Sequence, residues 1–461
     1  MAAGARVEQA GLIVVGGGAA GMVTAITAAD HGHRVVLIER AKDLGGLAAT
    51  WSECIAAAGT RFQRVADIAD APERLRADID AVLPAHGEPV LADALVAQGA
   101  SLVEWLADRC DVDVRLQSAT AQGGHGVARL HSVGDQGGAS LIAALARAAS
   151  HHTHIRVRAA TDIIRLVPTD DGGVAGVALR PDRRGSTIIN APVVLACGDY
   201  VADDELVAKH APDLKDLPYL GPAGAKGDAL RLAAPLGAAV RHGAAGHVEA
   251  FVAQPSHLAI TADVLAHGAI LVNQRGVRFT DESQATLSLA LAVRAQPGKV
   301  GYLLFDERVA SAVAAHDPFF ARVVLPRTAR RASSVGMLAK QLELPEATVR
   351  ETLEGYEKQA AGSPDAFGRT HANAGGLAEP YYGVRVTGAR RAMHGGLAVD
   401  AGARVLDGSG NAIAGLFAVG GAAASLSGPG VDRELGGIDA LSALGLARLA
   451  ALGLPTASDE S

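Results

Sequence analysis

At 461 residues, with 49% hydrophobic and 20% charged, the chain has room for two or three domains and the composition of a globular protein, which excludes a disordered one. A formal charge of −7, 3% aromatics and no basic run interleaved with rings exclude a nucleic-acid footprint. The three cysteines, Cys54, Cys110 and Cys197, form no C-x-x-C pair, so neither a disulfide framework nor a zinc site is expected, and a reducing cytoplasm suits them.

The first ten residues lack a basic segment followed by a long apolar core, so no signal peptide is expected. Residues 12–15 (LIVV) form a β-branched run of buried-strand type. Gly16-Gly17-Gly18-Ala19-Ala20-Gly21 follows without a break and fits G-x-G-x-x-G. Residues 22–31 predict a small-residue helix that Gly32 stops, and residues 34–38 a second apolar strand ending at Glu39. Each part has a physical task. Gly16 lets the backbone turn sharply, Gly18 lets a pyrophosphate approach the main chain, and Gly21 lets the helix pack on the strand. The helix start offers free N–H groups and a positive dipole end. Glu39 stands 18 residues past Gly21, where a carboxylate accepts hydrogen bonds from ribose hydroxyls. A glycine turn in an ordinary αβ unit accounts for the hexapeptide alone; strand, helix, strand and acid in this order point to a dinucleotide site.

A second glycine turn, residues 41–46, ends in Gly45-Gly46, and a flavin dinucleotide is the one whose length calls for the chain to pass so close. Residues 47–63 stay small, interrupted by Trp51-Ser52-Glu53-Cys54; Cys54 is read as a buried small hydrophobe in preference to a flavin-face thiol. Residues 67–83 and 93–108 predict helices, the second with Leu95, Leu102 and Leu106 in the core. Gly137-Gly138-Ala139-Ser140 opens a helix over 141–149, and residues 155–167 and 173–180 predict strands. Residues 193–199 are an apolar strand ending in a small-residue turn, a second place where a sheet edge meets the dinucleotide. Lys226-Gly227-Asp228 precedes an Ala/Leu helix. From 242 to 369 the texture changes, with strands at 270–273 and 302–306, two polar helices within 338–358 and a turn at Gly362-Ser363-Pro364-Asp365; this predicts an inserted second domain. From Tyr381 the β/Gly pattern returns, with strands at 404–406 and 416–421 and a helix from Gly436-Gly437 to Leu452. Residues 408–431 carry no charge, but seven glycines with Ser and Pro predict a strand and a glycine turn, so no membrane insertion is expected.

In order and spacing these residues resemble the flavoprotein subunits of the fumarate reductase and succinate dehydrogenase family, which also contains 3-ketosteroid dehydrogenases. The likeness runs through the opening βαβ, Gly45-Gly46, Gly137-Gly138-Ala139-Ser140-Leu141, Val194-Leu195-Ala196-Cys197-Gly198 and Gly227-Asp228. It continues through Ile270-Leu271-Val272-Asn273, Arg278-Phe279 with Glu282, Pro380-Tyr381-Tyr382, Gly395-Gly396-Leu397, Gly415-Leu416-Phe417-Ala418-Val419-Gly420 and Gly436-Gly437. The resemblance implies an α/β fold: a Rossmann-type FAD-binding domain, discontinuous in sequence over 1–241 and 370–461, with an inserted α+β capping domain over 242–369. It implies non-covalent FAD, because Ala49 lies in the segment where succinate dehydrogenases carry their linking histidine. The cofactor contacts it implies are Gly16, Gly18, Ala19, Ala20 and Gly21, then Glu39 and Arg40, then Gly45, Gly46, Leu47 and Ala48. Thr60, Ile163, Ala196, Cys197, Gly198 and Asp228 follow, and the last are Gly420, Gly421, Gly437 and Ile438.

Dicarboxylate-reducing members hold their substrate with two histidines and two arginines. The matching positions here are Gln254, within Ala253-Gln254-Pro255-Ser256, then Thr286, Ala392 and Arg433, which Glu434 displaces by one residue from Leu435-Gly436-Gly437. The two tyrosines of the ketosteroid dehydrogenases would fall at Thr286 and Leu426. Another substrate is therefore implied. The candidate catalytic residues are Arg433, His394 before Gly395-Gly396, Glu434 and Thr286. Backbone hydrogen bonds alone would also account for His394, and an exposed ion pair for Arg433 and Glu434.

These residues predict an FAD-dependent oxidoreductase of CH–CH groups, a dehydrogenase that desaturates a C–C bond beside a carbonyl in a small or cyclic ketone or keto acid. A base takes the α-proton, the β-hydride passes to flavin N5, and Arg433 meets the charge that builds on oxygen. An ene reductase of the fumarate reductase type and a non-redox hydratase or isomerase are the alternatives. A small-molecule substrate and an external electron acceptor are the expected partners, with no nucleic acid and no metal.

Overall fold

Leu12–Val15 has four buried side chains, and parallel partners take both of its edges. Val35–Ile38 lies on one side, in register from Leu12 opposite Val35 to Val15 opposite Ile38; Val193–Leu195 lies on the other, with Leu195 opposite Val15. Ile155–Arg158 follows outside Val35–Ile38, while Ala412–Ala418 and the antiparallel edge Arg404–Leu406 follow outside Val193–Leu195. The chain thus leaves Leu12–Val15 toward both sides of the sheet. That makes a topological switch point at the carboxyl ends of Leu12–Val15 and Val193–Leu195, where open α/β sheets bind ligands. The structure is a computed structural model and describes residues 6–50, 54–83, 88–117, 124–134, 137–181, 185–221, 224–315, 317, 319–360, 364–369, 375–426 and 435–455.

The first helix is Ala19–Asp30, three residues longer at its start than the sequence predicts, because Gly18 is its extended N-cap and Ala19 to Gly21 form its first turn. It lies against the last helix, Ile438–Leu452, and the Thr24 hydroxyl donates to the Ala447 carbonyl at 3.1 Å. Both helices are small or apolar on nearly every side, as buried helices are. Pro89–Cys110 is long and apolar enough to cross a membrane by length and composition, yet Leu95, Leu102 and Leu106 on it are fully buried within the fold. It runs so close to the last helix that a Cβ on Gly445 would lie 2.7 Å from the Leu95 side chain.

Two expected elements are corrected. The helix predicted over 67–83 is Pro72–Val82, since Asp67 is left-handed (φ 57°) and Pro72 fixes the first turn. The strand predicted over 155–167 is two strands in different sheets, Ile155–Arg158 and Ile163–Pro168. Between them Ala160 turns left-handed (φ 50°); its N–H donates to the Ala41 carbonyl and that of Thr161 to the Glu39 carbonyl, pulling the chain off the sheet to brace that loop.

Two compact units emerge. One comprises Met1–Pro212, Gly221–Gly246 and Ala392–Ser461; the other comprises Asp213–Leu220 and His247–Arg391. The main segment of the second unit therefore runs over 247–391 where the sequence predicts 242–369, and the short segment 213–220 joins it. The long strand Tyr381–Met393 is the reason: it pairs with Gly301–Asp306, from Asp306 opposite Tyr381 to Gly301 opposite Val386, and with Arg330–Ala332. With Gly246–Ala253 and Ile270–Val272 these strands make a five-stranded sheet, packed with helices such as Val335–Leu342 and Glu346–Ala360 around Phe251, Leu303, Phe305 and Tyr356. That is the predicted α+β texture. The predicted turn at 362–365 lies partly outside the described residues.

Candidate functional site

At the switch point the glycine turn is built as its spacing demands. Gly16 has φ +114°, and a Cβ there would sit 2.3 Å from the Ala196 carbonyl; one on Gly21 would sit 1.9 Å from the Gly16 carbonyl. These two positions admit only glycine. Gly18 differs: a Cβ there would meet only the Gly45 carbonyl, at 3.7 Å. The second glycine turn closes onto the first, with Gly45 N–H donating to the Gly17 carbonyl at 3.0 Å and Gly18 bridged to Gly45. The first helix has no side-chain cap and no acid in its first turn, so its free N–H groups meet no competing carboxylate of their own. Glu39 is half-buried beside this turn. Its two oxygens accept the Gly17 N–H at 2.6 Å and the Ala41 N–H at 2.7 Å, which fixes the carboxylate and leaves lone pairs for further donors.

Other expected positions gather in the same unit. Ala196 N–H continues the ladder to the Val15 carbonyl, and Gly198 (φ +81°) faces open space. Gly420 (φ +61°) presses on Ala20, where a Cβ would lie 2.8 Å from the Ala20 Cβ, and Gly421 on the Asp199 N–H at 2.9 Å. Gly437 (φ +73°) caps Ile438–Leu452 without a side chain, fitted against the Ala56 N–H and the Cys54 carbonyl; Ile438 is fully buried. Arg40 and Asp228 form an ion pair with each other. Leu47 and Ala48 begin a short 3-10 turn, and Ile163 starts its strand opposite Leu179. Thr60 is fully buried as the N-cap of Arg61–Val65, its hydroxyl 2.9 Å from His131 Nε2. Cys54 is buried, with its thiol on the Gln117 side-chain oxygen at 3.1 Å.

His394 lies in the unit that carries these glycine turns, and it is 7% exposed. Its N–H donates to the Ala245 carbonyl at 3.0 Å and its carbonyl accepts the Ser425 N–H at 2.8 Å. Gly395 and Gly396 make this possible: a Cβ on the first would lie 2.3 Å from the His242 carbonyl and one on the second 2.5 Å from the Ala423 carbonyl carbon. Asp439, in the first turn of the last helix, brings Oδ1 to 2.9 Å from His394 Nδ1, off the axis of a ring N–H there, and accepts the Ser425 hydroxyl at 2.7 Å.

Asp199 anchors the other side of the same segment, accepting the Met393 N–H at 3.0 Å and the Val201 N–H at 2.9 Å. Burial pushes its carboxyl up to about 6, while those two N–H groups and the nearby His394 pull it down. A carboxyl whose folded value exceeds its unfolded value stabilises the fold when protonated, and that contribution is lost as pH rises through about 6. Between pH 4 and 7 Asp199 should therefore cost the fold on the order of 3 kcal/mol. Asp199→Asn should remove that part of the pH slope, measured as chemical unfolding of both proteins across this range; a constant offset from the lost acceptor leaves the slope unaffected. Parallel slopes would refute the assignment.

Thr286 begins the helix Thr286–Arg294 in the second unit, and Arg433 and Glu434 lie outside the described residues. Gln254, also in the second unit, donates its backbone N–H to the Arg385 carbonyl. Arg278 and Glu282, quoted above for the likeness, form a buried clasp: Arg278 Nε donates to Glu282 Oε1 at 2.9 Å and Nη1 to Asp365 Oδ2 at 2.7 Å. Asp439, Ser425 and Asp199 escape the sequence reading. An acid in a first helical turn is ordinary there, and nothing local ties it to a distant histidine.

A family model described as an FAD binding domain matches residues 11–438. The chain is 30% identical over 414 residues to an NADH:fumarate oxidoreductase of Klebsiella pneumoniae, covering 89% of this chain and 44% of that protein. It is 29% identical over 418 residues to a fumarate reductase (cytochrome) of Shewanella frigidimarina, covering 89% and 71%. A solved structure, the open conformation of a flavocytochrome c3 fumarate reductase, matches with a TM-score of 0.87 at 27% identity, over 96% of this chain and 78% of that one. The chain spans less than half the length of the Klebsiella relative.

Proposed function

The chain belongs to the FAD binding domain family, represented among its relatives by FAD-dependent oxidoreductases, and from that premise we propose that it desaturates a C–C bond beside a carbonyl in a small or cyclic ketone or keto acid. Its residues fit the cofactor. Glycines 16, 18 and 21, the Gly45-Gly46 turn and Glu39 would hold the dinucleotide, together with the side-chain-free turns at Gly198, Gly420 and Gly437. We take the FAD to be non-covalent, since Ala49 offers no nucleophile. Bound FAD would accept the β-hydrogen with its electron pair, or return it in the reverse direction.

The protein's share is the proton and the charge on oxygen. The observation that carries this reading is His394, a buried imidazole clamped through both of its peptide groups and set against a carboxylate. It takes the α-proton as the C–H bond breaks, and its burial limits the access of bulk water to that exchange. Arg433, by the sequence likeness, would meet the developing enolate oxygen with a fixed positive charge.

A second reading, an ene reductase, is favoured by the names of the two relatives above, which reduce fumarate. One screen separates them. Anaerobic mixing of oxidised enzyme with cyclic ketones, keto acids and dicarboxylates should bleach the flavin with a ketone or keto acid, and chemically reduced enzyme should stay reduced on mixing with fumarate. Gln254, Thr286 and Ala392 stand where fumarate-reducing relatives place cations or a proton donor, so two carboxylates lack their holders. Rapid reoxidation by fumarate would overturn the desaturase reading in favour of the reductase.

A further inference from the structure

We propose that Asp439, assisted by Ser425, is the positioning residue for His394: it holds the ring with its proton on Nδ1, so that Nε2 is the atom that takes up and returns the substrate proton. This rests on the reading of His394 given above. His394 has little freedom of its own, because its N–H and carbonyl are both committed and its side chain is 6% exposed. What remains open is the ring's rotation and which nitrogen carries the proton.

Asp439 decides both. An ionised carboxylate only accepts, and an unprotonated ring nitrogen also only accepts, so the two repel at 2.9 Å unless a proton lies between them. The proton therefore sits on Nδ1, and a small ring rotation brings it into line with Oδ1. Two further features favour the ionised carboxylate. The Ser425 hydroxyl donates to the same oxygen, and Asp439 occupies the first turn of a 15-residue helix whose cap, Gly437, has no side chain. The helix end therefore presents partial positive charge to Asp439. With Nδ1 taken, the exchangeable lone pair is on Nε2, the division of labour between an orienting carboxylate and a working imidazole.

Two titratable groups among the described residues stand on the segments next to His394. Asp199 holds the adjoining Met393 N–H, and behind Gly395 stands His242, 3.9 Å from Glu88. Asp439 is the carboxylate whose oxygen lies 2.9 Å from a ring nitrogen of His394, and that contact is the one that sets the tautomer.

The test reads the resting holoprotein and needs no turnover. Long-range 1H–15N spectra of histidine-labelled enzyme, with the His394 signals assigned by their loss in His394→Gln, should show Nδ1 protonated and Nε2 unprotonated at high pH, with Nε2 taking up the proton as pH falls. Asp439→Asn should lower the midpoint of that titration by about one unit or more, since an opposite charge within contact favours the imidazolium. Ser425→Ala should shift it in the same direction by less. A proton on Nε2 in the wild-type protein at high pH would overturn the proposal. So would an Asp439→Asn spectrum that superposes on the wild type, and if that variant fails to fold, the wild-type tautomer and Ser425→Ala still decide. Failure of the underlying reading would show elsewhere, as a flavin that no carbonyl compound in the screen bleaches.

Discussion

Gly18→Asp is expected to yield a folded, colourless protein. The position tolerates a side chain: its backbone (φ −74°, ψ −178°) suits any residue, and a Cβ meets nothing closer than 3.7 Å. Asp is a preferred N-cap, so the helix Ala19–Asp30 should gain from the change. The same carboxylate would occupy the free N–H groups that the pyrophosphate needs. Two like charges about 4 Å apart at an effective dielectric of about 20 repel by about 4 kcal/mol, so FAD should bind on the order of 10³-fold more weakly. Gly21→Ala is the contrast, since a Cβ 1.9 Å from the Gly16 carbonyl disrupts the turn itself. Circular dichroism should show Gly18→Asp as native and Gly21→Ala as damaged. Acid precipitation of wild-type protein should release its FAD to the supernatant. A full flavin spectrum in purified Gly18→Asp would place the phosphates elsewhere.

His394→Gln is expected to keep FAD and lose the chemistry. Glutamine approximates the ring's size and leaves the backbone clamp to Ala245 and Ser425 in place, but it cannot take a proton at neutral pH. General acid–base catalysis contributes about 10²–10⁴-fold, so anaerobic flavin reduction by the substrate found in the screen should slow by that factor, about 3–5 kcal/mol. The pH dependence of the rate should flatten as well. A variant that reduces its flavin at nearly the wild-type rate would remove His394 from the reaction and leave Arg433, Glu434 and Thr286 as the remaining candidates.

The elements around the glycine turn that are local in sequence were legible before the structure. Leu12–Val15, the glycine turn, the helix and Glu39 lie within one βαβ unit, where hydrophobic period and glycine spacing carry the information. The Gly45-Gly46 turn and Gly437 were legible for the same reason. Placement across the chain was not. The end of the second unit depends on Tyr381–Met393 pairing with Gly301–Asp306, and no nearby residue marks that partner. Asp213–Leu220 belongs to the second unit through contacts such as the Arg390 N–H on the Pro218 carbonyl, which sequence pattern cannot signal. Thr60 shows a different limit: its capping of Arg61–Val65 and its contact with the buried His131, 71 residues away, were not legible in the sequence.

The bond from Thr24 to Ala447 joins residues 423 positions apart. Synthesis at about 5–20 residues per second puts roughly 20–80 s between the two ends of that contact. During this interval the first helix, buried on most of its surface in the finished protein, has no partner for the face that later meets Ile438–Leu452. Residues 247–391, nearly all of the second unit, emerge within it and can complete their own sheet. The nascent chain is thus a folded insert flanked by an unfinished sheet and an apolar helix, and its exposure to chaperones and to aggregation is set by the ribosome's pace from residue 391 to residue 447.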